Sequence, residues 1–126
     1  MNIEIKLPYP ISANRYWRRA GKNIVASAEA NRYKTTVRQL AYLAQIKTQT
    51  GNVGVEITLH PKRNRDGSAN GTVLDLDNAL KVTLDSLQGV AYINDKQIKY
   101  LVAQYGPPVK DGGLTVNIHP LLEPEA

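Results

Sequence analysis

Asp75-Leu76-Asp77-Asn78-Ala79-Leu80-Lys81, then an apolar run to Gln88-Gly89 and finally Asn94-Asp95, is the stretch on which the reading of this chain turns. In an extended segment residues two apart point to the same side, so Asp75 and Asp77 can aim their carboxylates at one point, as metal ligands do. A helix beginning near Asp77 then puts Lys81 one turn further along the same face, within reach of a substrate anion held by a cation on the two aspartates. The same residues have a plainer reading, with Asp77 as helix N-cap, Asn78 in the first turn and Lys81 paired back at i,i+4. D-x-D is a short and common pattern, and on spacing alone capping is the commoner outcome. Asp95 adds little by itself, because an aspartate after Gly89 and Asn94 is an ordinary loop residue. Asp85 falls toward the Lys81 side of the helix, either supporting the metal ligands or, more commonly, as a solvated surface carboxylate.

Working outward, Asp77 to Gln88 reads as a short helix with Leu80, Leu84 and Leu87 inward, closed by Gly89. Lys62 to Gly71 is rich in Lys, Arg, Asn, Asp, Gly and Ser, and Asp66-Gly67 and Asn70-Gly71 mark turns, so it reads as an exposed basic loop or hairpin tip. Before it, Val55 to Leu59 alternates as a strand ending at His60-Pro61; after Asp95, Lys96 to Tyr105 is β-prone, with Ile98, Tyr100 and Val102 on one face. Gly106-Pro107-Pro108 breaks that strand, and Leu114, Val116 and Ile118 give a last one. At the start, Ile3, Ile5 and Leu7 alternate with polar residues until Pro8 and Pro10. Ile11 to Val25 reads as a basic, aromatic loop in which Asn14, Arg15, Arg18 and Arg19 stand beside Tyr16 and Trp17, a surface suited to phosphates and bases. Its plainer reading is a loop with aromatics on the core and solvated arginines. Ser27 is the expected N-cap of a long helix with Tyr33, Val37, Leu40, Ala41 and Ala44 inward and Arg32, Lys34, Arg38 and Lys47 outward, stopped by Gly51 and Gly54.

The order strand, helix, strand, acidic loop and helix, strand, strand predicts a mixed α/β (α+β) fold. One compact domain over residues 1–120, a small mixed sheet packed by two main helices, would be followed by a short tail at 121–126 that frays. At 126 residues there is little room for a second domain. Sixteen Lys and Arg against eleven Asp and Glu give a net charge of +5, which favours an anionic partner such as nucleic acid. The absence of cysteine excludes a disulfide scaffold and a thiolate zinc site. His60 and His119, each near a predicted strand end, read as structural or solvated. With neither a signal-peptide pattern nor an apolar run near the ~20 residues needed to span a bilayer, a soluble cytoplasmic protein is expected.

Most of the chain resembles the RusA-type Holliday junction resolvases, small endonucleases often carried by phages and prophages. The resemblance rests on Leu7-Pro8-Tyr9-Pro10, on Asn14-Arg15-Tyr16 with Arg18, on Ser27-Ala28-Glu29 with Tyr33, on Asp75-Leu76-Asp77-Asn78 with Lys81, and on Asp95 before a strand. It implies that Asp75, Asp77 and Asp95 form an acidic metal site for Mg²⁺, with Mn²⁺ as a substitute, and that Lys81 is needed for cleavage. Hard magnesium suits such oxygen ligands. It also implies a homodimer acting on branched DNA, the four-way junction, with two symmetric nicks. Arg18, Arg19, Asn14, Arg15, Lys62, Arg63 and Arg65 would contact DNA. Two features depart from the family pattern. Its arginine-rich run abuts the first motif aspartate, whereas here Lys62, Arg63 and Arg65 stand further upstream; and this chain has no phenylalanine for a wedge at the junction centre. The other readings are a branched or single-stranded DNA-binding module that does not cut, and a nuclease acting on flaps and forks. Three carboxylates close to a phosphate backbone argue against a pure binder, since they repel it unless a cation intervenes.

Overall fold

The alternating and amphipathic segments resolve, in a computed structural model that describes residues 2–122, into a single domain with one four-stranded sheet, one two-stranded ribbon and two long helices. In chain order these are β1 (Ile3–Leu7), the one-turn helix α1 (Ala13–Tyr16), β2 (Trp17–Ala20), β3 (Asn23–Ala26), α2 (Ala28–Leu43), β4 (Val53–His60), α3 (Leu76–Leu87), a 3₁₀ turn (Asp95–Gln97), β5 (Ile98–Tyr105) and β6 (Gly113–Pro120). The sheet runs β1-β6-β4-β5. β6 lies antiparallel to both β1 and β4, while β4 and β5 are parallel from Gly54↔Tyr100 to Leu59↔Tyr105. A parallel pair needs a crossover, and α3 supplies it. The fold is therefore the expected mixed α+β domain, with β5 at one edge and β1 at the other.

Period-two patterning decides which face is buried. Val55, Ile57 and Leu59 of β4, Leu114, Val116 and Ile118 of β6, and Ile5 and Leu7 of β1 are paired in register and buried. Tyr33, Val37 and Ala41 of α2 and Ala79, Val82 and Leu87 of α3 join them in one core. The opposite face of the sheet is polar, with Glu4, Lys6, Glu56, Thr58 and Asn117. His60 is structural, its ring bonded to the Pro107 carbonyl and the Thr115 hydroxyl, both at 2.8 Å. His119 lies against Tyr100 with ring centroids 5.9 Å apart.

Four local expectations are corrected. Residues 11–25 are not an irregular loop: after α1, β2 and β3 pair antiparallel from Trp17↔Ala26 to Ala20↔Asn23 around Gly21-Lys22. Gly21 has φ +62, a conformation that two-residue hairpin turns demand and glycine adopts freely. α2 stops at Leu43, well before Gly51, because Gln45 turns left-handed (φ +56) and the Gln45 and Ile46 N–H groups bond back to the Tyr42 and Ala41 carbonyls. That is a Schellman end without its usual glycine. In α3 the buried stripe is Ala79, Val82, Thr83, Ser86 and Leu87, with Leu80 and Leu84 only half-buried at its border. The Thr83 and Ser86 hydroxyls donate to the Ala79 and Val82 carbonyls one turn back, so these small polar residues let the helix sit close without unsatisfied groups. Lys34 points inward rather than outward: it pairs with Asp85 at 3.1 Å and lies 5.7 Å from the centre of the Tyr16 ring. Ser27 caps α2 as expected, accepting from the Ala30 N–H at 3.0 Å. Of the expected tail, residues 123–126 lie outside the described residues; the Leu121 N–H donates to the Asn52 carbonyl at 2.9 Å.

The turn before β6 reaches toward the acidic motif. Gly112 has φ +73, and a Cβ there would stand 2.7 Å from the Tyr9 ring. The Tyr9 hydroxyl in turn accepts the Leu74 N–H at 2.8 Å, fixing the chain just before Asp75. Gly112→Ala is expected to lower unfolding free energy by about 1–2 kcal/mol from the left-handed backbone alone, with further loss if Tyr9 is displaced. Urea unfolding measures it; an unchanged midpoint would refute the constraint.

Candidate active site

The acidic motif opens α3 just beyond the carboxyl ends of the parallel strands, where open α/β sheets present their ligand sites. Tyr105, last residue of β5, donates its hydroxyl to the Leu74 carbonyl at 2.8 Å, while Tyr9 takes the Leu74 N–H. Leu74 is thus held at both peptide groups, and Asp75 leaves it in extended backbone, φ −61 and ψ 145. Asp75 occupies the N-cap position, yet its side chain makes no capping hydrogen bond. Asp77 lies in the first turn. Its carboxylate is 78% exposed and pairs with Lys81 at 3.5 Å. An ion pair this exposed is weak and exchangeable. The plainer reading holds in part, since Asp77 pairs with Lys81 at i,i+4; but the N-cap is Asp75 and not Asp77, and Asp77 is helical, so the two aspartates do not share the extended segment that the D-x-D spacing predicted. No backbone N–H is bonded to either side chain, which leaves both carboxylates open to a hard cation. Two aspartate oxygen donors beside the positive end of a helix dipole, with a lysine one turn on, suit magnesium and a phosphate together.

Asn78 does work that the sequence reading assigned only to the first turn. Its Oδ1 accepts the Ala13 N–H at 2.9 Å, pinning α1 onto α3. Beside it Tyr16 is fully buried and donates to Asp85, which also pairs with Lys34. Burial first, then the Asp85 hydrogen bond, pushes the Tyr16 phenol far above its ordinary value, so it stays protonated and donating. Asp85 is accordingly not the solvated surface carboxylate of the plainer reading; its partners are Tyr16 and Lys34, and it ties α1 and α2 to α3. The result is an open groove of about 400 Å³ lined by Asn14, Trp17, Arg18, Arg19, Ile24 and Lys81. The hairpin that the sequence marked as a docking surface thus meets the motif lysine. Arg15, by contrast, is engaged with Glu29 through Nε at 3.2 Å and a second nitrogen. Lys62, Arg63 and Arg65 sit on a small exposed hairpin tip closed by Asn64–Ser68 and Asn70–Lys62 backbone bonds. Lys62 shares a second groove with Tyr9, Asn70, Thr72 and Asp111, on the segment that leads to Asp75.

Asp95 lies elsewhere. It opens the 3₁₀ turn before β5, and its N–H donates to the Gln88 side chain at 3.2 Å, just past the far end of α3. α3 has 12 residues, and a helix of that size is about 18 Å long. Among the described residues no three His, Cys, Asp or Glu side chains are grouped to hold one metal ion. The turn carrying Asp95 is nevertheless firmly built. Gln97 accepts the Ile93 and Asn94 N–H groups, both at 2.8 Å, and donates to the Gln49 and Gly51 carbonyls at 2.9 and 2.7 Å. Asn94 completes a capping box by accepting the Lys96 N–H at 2.8 Å. The pattern Asn94-x-x-Gln97 signals such a box in the sequence, so Asp95 lies in a capped 3₁₀ turn and not in the ordinary loop expected there. Tyr92 beneath is buried and bonds the Leu84 carbonyl at 2.6 Å; burial, with the Asp95 and Asp85 charges adding to it, raises its phenol well above the usual range.

The family model Endodeoxyribonuclease RusA matches residues 8–119, which include every candidate residue named above. The chain belongs to the RusA endodeoxyribonuclease family. It is also similar to the crossover junction endodeoxyribonuclease RusA of Enterobacteria phage HK97, at 31% identity over 116 residues, covering 89% of each chain. Within the matched span, Asp75-Leu76-Asp77-Asn78 combines two aspartates with the asparagine that holds α1 and the basic hairpin after it. No helix among the described residues is long and apolar enough to cross a membrane.

Gln97→Ala removes four hydrogen bonds around Asp95. A stability loss of about 1–3 kcal/mol is expected, together with faster amide hydrogen exchange confined first to residues 93–97. Uniform exchange across the chain would show that Gln97 does not hold this turn.

Proposed function

We propose that this chain is a magnesium-dependent, junction-resolving endodeoxyribonuclease that acts as a homodimer on four-way DNA, with Mn²⁺ able to replace Mg²⁺. The observation carrying the proposal is the pair of uncapped, exposed carboxylates, Asp75 and Asp77, with Lys81 beside them in a basic groove, in a chain of the RusA family. The phage relative's name, crossover junction endodeoxyribonuclease, supports the substrate class.

Asp75 and Asp77 are the residues that would hold the metal; Asp95, which the family resemblance adds to them, stands at the far end of α3 within one chain. When bound there, magnesium supplies Lewis-acid polarisation of the phosphodiester and a more acidic water. Asp75 and Asp77 would hold the cation through their carboxylate oxygens and offset its charge. Lys81, whose pairing with Asp77 is exposed and weak, would stabilise the charge that grows on the phosphoryl oxygens in the transition state. Arg18 and Arg19, with Asn14, bind the flanking backbone and fix the strand across Lys81. Arg63 and Arg65, with Lys62, serve the neighbouring duplex arm. Such phosphate contacts position the DNA without reading its sequence, so selectivity for the junction comes from shape.

Asp75→Asn and Asp77→Asn are expected to abolish cleavage of a synthetic four-way junction in Mg²⁺ while preserving, or without metal improving, junction binding. Residual cutting by both variants would refute the site. Linear duplex, flap and fork controls decide the substrate: equal cutting of flaps would remove the resolvase assignment, and tight binding with no cutting by the native chain would make it a binding module. Lys81→Ala should slow cleavage by roughly 10²-fold or more with little change in affinity. An effect confined to affinity would make Lys81 a docking residue only.

A further inference from the structure

Resting on the reading of Lys81 as a cleavage residue, we infer that Trp17 and Ile24 on the β2–β3 hairpin form a platform that receives one unstacked DNA base beside the phosphate being cut.

The hairpin is apolar where a solvated ribbon has no reason to be. Directly opposed residues of an antiparallel pair share a face, and residues alternate between faces along each strand. The pairs Trp17↔Ala26 and Arg19↔Ile24 therefore set Trp17, Arg19, Ile24 and Ala26 on one face. Ala26 packs against the core, as does Ala13 ahead of the ribbon. Trp17 and Ile24 stay outside it, 36% and 69% exposed. Both line the groove that also holds Asn14, Arg18, Arg19 and Lys81, a lining with three cations and no carboxylate. Among the described residues neither Arg18 nor Arg19 is paired with an acid. This surface fits a partner that is flat and apolar in one part and anionic in the next, and a nucleotide has both parts.

The indole is also held in place. It meets the Tyr16 ring at a centroid distance of 4.7 Å with the planes at 74°, an edge-to-face contact that leaves at least one indole face open. Tyr16 is fully buried and bonded to Asp85, so Trp17 backs onto a fixed neighbour and loses little freedom when a base arrives. Any base can stack there, because every base has a π-face. In continuous duplex, however, both faces of a base are covered by its neighbours, and freeing one carries the cost of unstacking. At a branch point the stack is already interrupted, and that cost falls. Trp17 thus adds a criterion that phosphate contacts do not supply: the strand seated across Lys81 must have a base able to leave its stack.

Two measurements test this. Trp17 is the chain's only tryptophan, so its emission reports this position alone. The native chain in EDTA, which prevents cutting, is titrated with a synthetic four-way junction of fixed branch point and with linear duplex, occupancy being followed separately by gel shift. Saturating junction is expected to remove most of the tryptophan emission, and saturating duplex to leave most of it. Full junction occupancy without quenching, or equal quenching by duplex, overturns the platform. In the second measurement, single abasic sites are placed in turn at the nucleotides flanking the branch point. Removing the base that sits on Trp17 should weaken junction binding by the native chain about 5- to 100-fold. The same removal should leave Trp17→Leu, already weakened by that factor, unchanged, while Trp17→Tyr keeps most of the native response. A substitution that merely loosened α1 would respond to base removal as the native chain does, so this coupling separates stacking from a structural role. Additive losses at every position refute the platform. Neither readout needs cleavage. If a base couples to Trp17 but the native chain cuts no junction in Mg²⁺, the reading of Lys81 fails and the base platform stands; if the chain cuts junctions and no base couples to Trp17, the platform alone is refuted.

Discussion

The length and seating of α3 govern the molecule. A twelve-residue helix laid over the parallel pair β4–β5 buries a narrow face of Ala79, Val82, Thr83, Ser86 and Leu87. Because Thr83 and Ser86 satisfy their hydroxyls on the helix's own carbonyls, the face needs no polar partner from the sheet and can pack closely. Its amino end therefore emerges beyond the strands with two aspartates that no cap occupies, and its other end fixes Asp95 through Gln88. One rigid rod sets both the composition of the acidic pair and its distance from the third carboxylate.

The basic hairpin β2–β3 is hung from the same helix. Asn78 holds α1 by its first N–H, and Asp85 holds Tyr16 and Lys34 two turns on. The hairpin with Arg18 and Arg19 consequently meets α3 at Lys81 rather than wandering as a loop. A chain of net charge +5 must bring DNA to a pair of carboxylates that repel it. Arginines and a lysine fixed at the margin of the acidic pair answer that repulsion locally, where a diffuse surface charge would be screened within a Debye length of about 8–10 Å.

The sheet strands and both long helices were legible because each buries one face, so their periods show in the residues. The acidic pair could not be told from a helix cap by its spacing, and only the family pattern around it singled it out; its D-x-D spacing does not lie in extended backbone, because the helix starts at Leu76. The hairpin β2–β3 was not, since Trp17, Arg18 and Arg19 are all exposed and the ribbon has no buried face to create alternation. The end of α2 was hidden for a different reason: Gln45 takes a left-handed conformation that its side chain does not advertise. The buried stripe of α3 was misread toward the larger leucines, because burial there follows closeness of approach and not hydrophobicity. The parallel pairing of β5 with β4, which leaves β5 as an edge, is a matter of topology that no local pattern encodes.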